Sequence, residues 1–415
     1  MRRRAIPRRA SLLAFLAVMG PGVITGFAGN DAGGVATYTA VGASYGFSLL
    51  WLLLLSTAGL LVVQEMCARM GAVTGKGLSD LIRERFGVRW TIVAMLALLV
   101  ANGSNVVAEF AGVAASLELL HIPRFVSVPF AAVAVWALVV LFTYRIVERA
   151  LFVLILAFVA YPITALIVHP SWSGVLGGLV IPALPAEQAA LIAALALVGT
   201  TITPYMQFYI QASIVDKGID REAYRFARLD VLLGAVLTGL NGFFIIVAAG
   251  AVLFPAHVDV RSAGDAARAL VPLAGEQAAL LFGLGLFGAS MLAATVMPLS
   301  TSYAICEAFG WESGISHDFR DAPVFMGLFT FLLIAGGLVV LLVPDQRLLP
   351  IILVSQNVNG VLLPVVLVFI LRLASDRELM GDAATGRFSG AVGWGVAGMA
   401  SLLSVALVIV SALGL

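Results

Sequence analysis

Asp31 stands in "FAGNDAGGVAT" (27–37), a carboxylate among glycines in a run otherwise apolar enough to cross a bilayer. The other acidic residue deep in such a run is Glu109, in "NGSNVVAEFAG" (102–112). Ionisable groups are costly in hydrocarbon and mark ion or substrate pathways where they occur. A second interruption, "GTTITPYMQ" (199–207), carries Thr203-Pro204, where proline deletes an amide donor in mid-span. A third polar cluster, "SQNVNG" (355–360), contributes Ser355, Gln356, Asn357 and Asn359. Carboxylate, hydroxyl, amide and freed carbonyl oxygens make a hard-oxygen set that suits Mg, Ca or Mn rather than Cu or Zn. Taken singly, Ser355 and Asn359 would serve equally as glue between helices.

The elements that must position these groups are membrane helices. Of 415 residues 61% are hydrophobic and 11% charged, a composition of polytopic membrane proteins rather than soluble domains. The net charge of +1 gives no reason to expect a nucleic-acid partner. The partners implied are the lipid bilayer and a small solute, and the oligomeric state is left open. Eleven apolar runs form one transmembrane domain over 1–415. Spans 1 to 11 fall near 11–43, 47–68, 89–119, 124–144, 149–168, 186–216, 227–254, 275–308, 323–343, 348–373 and 390–414. The basic start "MRRRAIPRRA" resembles the n-region of a signal peptide, but the apolar run continues through "PGVITGFAG", which predicts a retained first helix. All but four of the 24 lysines and arginines (Arg124, Arg261, Arg268 and Arg347) precede odd-numbered spans or flank their starts. The positive-inside rule then places the N-terminus in the cytoplasm and the C-terminus outside, in the plasma membrane. Cys67 and Cys306 have neither metal-ligand spacing nor a disulfide framework and are expected to pack.

Spans 1 and 6 are the interrupted ones, and they open two successive groups of five. Non-helical backbone at membrane depth survives only where protein or a water-lined cavity satisfies it. Interruptions at equivalent places in two halves point to a transport site at the midplane. The expectation is therefore an all-α polytopic protein with two inverted five-helix repeats, span 11 lying outside them. No nucleophile–base pair or metal triad within the spans supports an enzyme. A channel is disfavoured by the paired breaks.

Several segments, in order, resemble the NRAMP family of divalent metal transporters. "GPGVITGFAGNDAGGVAT" (20–37) is similar to that family's first helix, whose hallmark is Asp-Pro-Gly-Asn, and "MGAVTGKGLSDLIRERFG" (70–87) to its loop between helices 2 and 3. "AEFAGVAASL" (108–117) matches a helix-3 pattern containing Glu, and "SQNVNGVLLP" (355–364) a helix-10 segment beginning Ser-Gln; "MGDAATGR" (380–387) resembles the loop that follows. "GTTITPYMQFYIQASIV" (199–215) takes the place of a helix 6 whose hallmark is Met-Pro-His. The resemblance implies a fold of the amino-acid/polyamine/cation superfamily type. It also implies metal contacts at Asp31, position 34, the carbonyls of Ala28 and Thr200, positions 203 and 205, and Gln356 with Asn357, with Glu109 as a residual proton relay. No resident cofactor is implied, since the metal is cargo.

The departures fall on the site. The hallmark Pro and Asn are Ala32 and Gly34, the Met and His of helix 6 are Thr203 and Tyr205, and a second helix-6 His is Ile210. Val106 replaces an Asp three residues before Glu109, and span 9 has no arginine. This pattern resembles the NRAMP-related magnesium transporter branch. Losing the thioether removes a preference for Mn and Fe over Mg and Ca, and Gly34 would leave room for a hydrated ion. Met206 would restore a thioether only if span 6 unwinds differently, and is expected to pack. Without a histidine in any span, the proton path is thin. These features predict import of Mg2+, with Mn2+ also accepted, by alternating access and without proton coupling. The alternative is a proton-coupled Mn2+/Fe2+ importer; an organic-substrate carrier on the same fold is the third reading.

Overall fold

A chain in hydrocarbon must satisfy its backbone internally, and this one does so with helices. The computed structural model describes residues 19–185, 187–257, 260 and 275–413. The basic stretch 1–10 and the opening of span 1, which decide between a retained helix and a cleaved signal, lie outside the described residues, as do Arg261 and Arg268. Span 1 is split into α1 (Pro21–Ala28) and α2 (Ala32–Tyr45). Span 2 is α3 (Leu50–Thr74), followed by a short α4 (Leu78–Phe86). Spans 3 and 4 are α5 (Val88–Glu118) and α6 (Arg124–Leu141). Span 5 runs through α7 (Tyr144–Ile155), a tighter turn (Leu156–Val159) and α8 (Ala160–Ile167), and a short α9 (Trp172–Val180) follows.

Span 6 is split into α10 (Gln188–Thr201) and α11 (Pro204–Asp216). Spans 7 to 10 are α12 (Tyr224–Val252), α13 (Glu276–Phe309), α14 (Pro323–Leu342) and α15 (Asp345–Ala374). A short α16 (Arg377–Met380) precedes span 11, α17 (Arg387–Leu413). Among the described residues, ten helical segments are long and apolar enough to cross a membrane. The split first span is the remaining expected segment; its pieces of 8 and 14 residues are each too short to cross alone. The run-based reading did not foresee α4 and α9, which are short and end the connections between spans 2 and 3 and after span 5.

Two five-helix repeats, each opened by a broken span, make the architecture the sequence predicted. Burial shows what lies at its centre. In their most apolar windows, 78% of span 6 and 72% of span 8 is buried, against 28% for spans 4 and 11. Spans 4 and 11 therefore face lipid, with Phe130, Leu402 and Leu342 of span 9 among the exposed apolar side chains. The basic connections share one face. Lys217 pairs with Glu148 at 2.6 Å, joining the end of span 6 to the start of span 5, and Arg85 pairs with Asp376 at 2.9 Å.

Helix α1 is held against span 7 by two features of its sequence. Pro21 occupies its first turn, where a missing N–H costs nothing. The N–H groups of Gly22 and Val23 donate to the Asp230 carboxylate of α12 at 2.7 and 3.3 Å, satisfying donors that the helix leaves open. Gly22 and Gly26 lie against Gly234 and the Asp230–Val231 backbone, a small-residue crossing that brings two helices into backbone contact. A Cβ on Gly22 would reach 2.5 Å from the Asp230 carbonyl carbon, so the helices would have to part. Gly22→Val is expected to destabilise the protein by about 1–3 kcal/mol, read as a lower unfolding temperature in detergent. An unchanged unfolding temperature would show that α1 can leave span 7 freely.

Candidate metal site

Both breaks arise from the same unmade backbone bond. In a continuous helix the carbonyl of residue 28 would accept from the amide of residue 32, and that of residue 200 from the amide of residue 204. The amide of Ala32 instead donates to Glu109 Oε2 of span 3 at 3.0 Å. Pro204 has no amide to offer Thr200. The carbonyls of Ala28 and Thr200, the two expected to be freed, thus lose their helical partners for different reasons, a diverted amide in one case and a missing one in the other. Each second half then starts afresh from an extended residue, Asp31 before α2 and Thr203 before α11.

Asp31 caps α2 by accepting from the Gly34 amide with Oδ1, while Oδ2, fully buried, has no hydrogen-bond partner among the described residues. Glu109 caps the same turn through Oε2, and its buried Oε1 also lacks a partner. Neither carboxylate takes part in an ion pair among the described residues. Two acidic groups therefore share the N-terminal end of one helix, and each keeps an oxygen lone pair unused. The C-terminal ends of α1 and α10 direct backbone carbonyls towards the breaks, and these favour a cation. Glu109, expected as a residual relay, is part of the break itself.

The other expected contacts are only partly brought together. Thr200, Thr203, Tyr205 and Gln356 are, like Asp31, fully buried. The Thr200 hydroxyl has no partner among the described residues and lies 3.0 Å from where a Gly34 Cβ would be, with Asp31 Oδ1 at 3.1 Å. The space expected beside Gly34 is therefore filled by its neighbours, and a larger side chain there would push them apart. The Tyr205 hydroxyl donates to the Ala28 carbonyl at 2.5 Å, so two of the expected ligands are bound to one another. Gln356 packs its amide nitrogen against Gly33. Asn357, one residue on, is turned about 100° around the helix and is only half-buried. It shares no face with Gln356, whereas Asn359, three residues on, does and is hydrogen-bonded to it.

One residue missed as a site element is Met206. Its side chain covers Gly29 at the end of α1, and a Gly29 Cβ would lie 2.6 Å from the sulfur. A thioether is thus present at the first break, supplied one position after Tyr205. Asn105 is another: it lies four residues before Glu109 on the same face of span 3 and contacts Gln356 at 3.4 Å. Its sequence signal was the i, i+4 spacing to a buried acid.

Comparisons with known proteins place the chain in a family. A family model described as "Natural resistance-associated macrophage protein-like" matches residues 22–410. The chain belongs to this family. It is 31% identical over 418 residues to a Ralstonia nicotianae protein named divalent metal cation transporter MntH, covering 94% of this chain and 89% of that one. It is 30% identical over 416 residues to the Klebsiella pneumoniae protein of the same name, with 98% and 97% coverage. Among solved structures, the Eremococcus coleocola manganese transporter matches with a TM-score of 0.81 at 22% identity, over 96% of this chain and 87% of that one. That likeness fixes the Nramp-type fold; none of these matches singles out the magnesium branch.

The Tyr205–Ala28 bond generates a test. Tyr205→Phe removes the hydroxyl and frees the carbonyl, at a cost of about 1 kcal/mol for one neutral hydrogen bond. If the Ala28 carbonyl is a metal ligand, the variant should bind Mn2+ several-fold more tightly by calorimetry on the purified protein. Unchanged affinity would show that this carbonyl does not contact the metal.

Proposed function

We propose that this Nramp-family chain imports divalent cations of the manganese class across the cell membrane, with its N-terminus cytoplasmic. The observation that carries the proposal is the pair of buried carboxylates, Asp31 and Glu109, capping one helix at the break without a cationic partner among the described residues. Such a pair needs a cation or protons to balance it. Asp31 contacts the metal, and the freed carbonyls of Ala28 and Thr200 with the oxygens of Thr203 and Gln356 complete an oxygen-rich shell. The Met206 sulfur at the first break supplies the soft donor that favours manganese over magnesium. The likeness to proteins named as divalent metal cation and manganese transporters supports the same ion class.

Glu109 is the group suited to exchange a proton. Neutralising it would remove one of two negative charges without touching Asp31, so metal entry and proton release can be linked at this turn of helix. A dication crossing 100 mV inward gains about 4–5 kcal/mol, so the membrane potential assists whether or not protons move.

Magnesium preference without proton coupling is the second reading. It is favoured by Thr203 and Gly34, neither of which offers the thioether or amide side chain of the family hallmarks, and by the absence of histidine from every span.

Uptake into proteoliposomes carrying an internal pH reporter separates the two. The manganese reading expects Mn2+ uptake to exceed Mg2+ uptake and to acidify the lumen. Magnesium uptake equal to or above manganese uptake, with no acidification, supports the second reading instead. Asp31→Ala should abolish uptake of either ion, and retention of wild-type flux would remove Asp31 from the site. Glu109→Gln keeps an oxygen for the Ala32 amide but cannot titrate. It should preserve a measurable Mn2+ flux while removing the acidification. Acidification that persists in this variant would place the proton elsewhere.

A further inference from the structure

Three side-chain amides lie in a row beside the first turn of α2. Asn359 Nδ2 of span 10 donates to Gln356 Oε1 at 3.3 Å, and Gln356 Nε2 donates to Asn105 Oδ1 of span 3 at 3.4 Å. All three residues are fully buried. The two ends of the row are open: Asn359 Oδ1 and Asn105 Nδ2 have no partner among the described residues. In this sense of the row, Gln356 turns its NH2 group to Gly33, two residues from Asp31.

An amide offers a donor on one side and an acceptor on the other. Rotating all three groups by half a turn gives a second row with the same number of bonds. Asn105 Nδ2 then donates to Gln356 Oε1, and Gln356 Nε2 donates to Asn359 Oδ1. The atoms needed for this second arrangement are the two that are unused in the first. Both existing bonds are long, so little is lost while they exchange. The two senses differ in what reaches the break. With Asp31 and Glu109 unbalanced, an NH2 group facing them is favourable. With a hard dication between them, a carbonyl oxygen is favourable and an NH2 group is repelled.

We propose that Asn105 and Asn359 are positioning residues that switch the Gln356 amide between a donor face in the empty site and an oxygen ligand in the loaded one. This rests on the metal-carrier reading above and adds to it that Gln356 is an ion-dependent ligand whose orientation is set from both sides. The switch works without backbone movement. It lets span 3 and span 10 register the presence of cargo at the first turn of α2.

A carboxylate in place of either asparagine accepts hydrogen bonds only, which fixes the sense of the row. Asn105→Asp holds Gln356 Nε2 towards span 3 and keeps the donor face on the site. Asn359→Asp draws Nε2 towards span 10 and leaves the oxygen on the site. Both changes are isosteric and add the same charge next to Gln356, so comparing them removes most of the general attraction of an added carboxylate for a cation. The test is Mn2+ binding to the purified full chain, by calorimetry, for both variants alone and in a Gln356→Met background. Asn359→Asp should bind Mn2+ about tenfold or more tightly than Asn105→Asp, the size of one hydrogen bond reversed in sign, and Gln356→Met should collapse the difference. Equal affinities, the opposite order, or a difference that survives Gln356→Met overturns the proposal.

A measurement on the native chain covers the case in which the aspartates fail to fold. Mn2+-induced infrared difference spectra should show a side-chain amide carbonyl shift that is absent in Gln356→Met, and spectra identical in the two proteins would equally overturn the switch. Failure of the wild-type chain to bind Mn2+ or Mg2+ would instead remove the metal-carrier reading on which the switch depends.

Discussion

Two gaps in the backbone hydrogen-bond ladder in the bilayer interior govern the rest of this structure. Leaving the carbonyls of Ala28 and Thr200 without their helical donors would be untenable in lipid. Protein must therefore surround both breaks, which is why broken span 1 is buried almost throughout, spans 6 and 8 are largely buried, and spans 4 and 11 are left at the periphery. The compensation is local and specific. Glu109 takes the Ala32 amide, Asp31 takes the Gly34 amide, and Tyr205 covers the Ala28 carbonyl. The groups that repair the helix are the same ones that the proposed function would use to offer a cation its oxygens.

That double use explains the chemistry of the site. Asp31 and Glu109 each accept an amide of this helix start with one oxygen and leave the other without a partner among the described residues. Two half-used carboxylates in a closed, largely apolar setting form a strong demand for positive charge. The same closure requires a way in and out. The ends of the broken spans on the side of the basic connections are tied down by contacts there. Asp230 accepts from the start of α1, and Lys217 at the end of α11 bridges Glu148 and the carbonyl of Met19. Release of the Lys217 contacts would free the end of span 6 from span 5, while the glycine crossing would keep α1 with span 7.

Three features of the site share a cause, the rotation of side chains around helices. Met206, three residues beyond the hallmark place, packs in the core as expected, and it does so against Gly29 because α11 begins at Pro204 and turns residue 206 towards α1. Asn357 was grouped with Gln356 by adjacency, but neighbours in a helix diverge, and Asn359 takes its place on the shared face. Gly34 was expected to leave space, and the Thr200 hydroxyl and Asp31 carboxylate close in on it. Together these shift the balance from a roomy site with a single carboxylate towards a compact one with two carboxylates and a sulfur at hand.

The amino-acid sequence by itself determined the membrane class, the eleven apolar runs, both breaks and the presence of an ionisable group at one of them. Each of these is a local property: hydrophobic length, a proline without an amide, glycines around an aspartate. The two freed carbonyls, of Ala28 and Thr200, were expected from the family resemblance and not from a local pattern. Only the tertiary structure decided that Glu109 joins Asp31 at one helix end, that Tyr205 occupies Ala28, and that Asn105 and Asn359 flank Gln356. These pairings connect residues 77 to 251 positions apart, with the exception of the Gln356–Asn359 pair within one helix. Contact at such separations is set by how spans cross and rotate against one another, and no local pattern of residues encodes that.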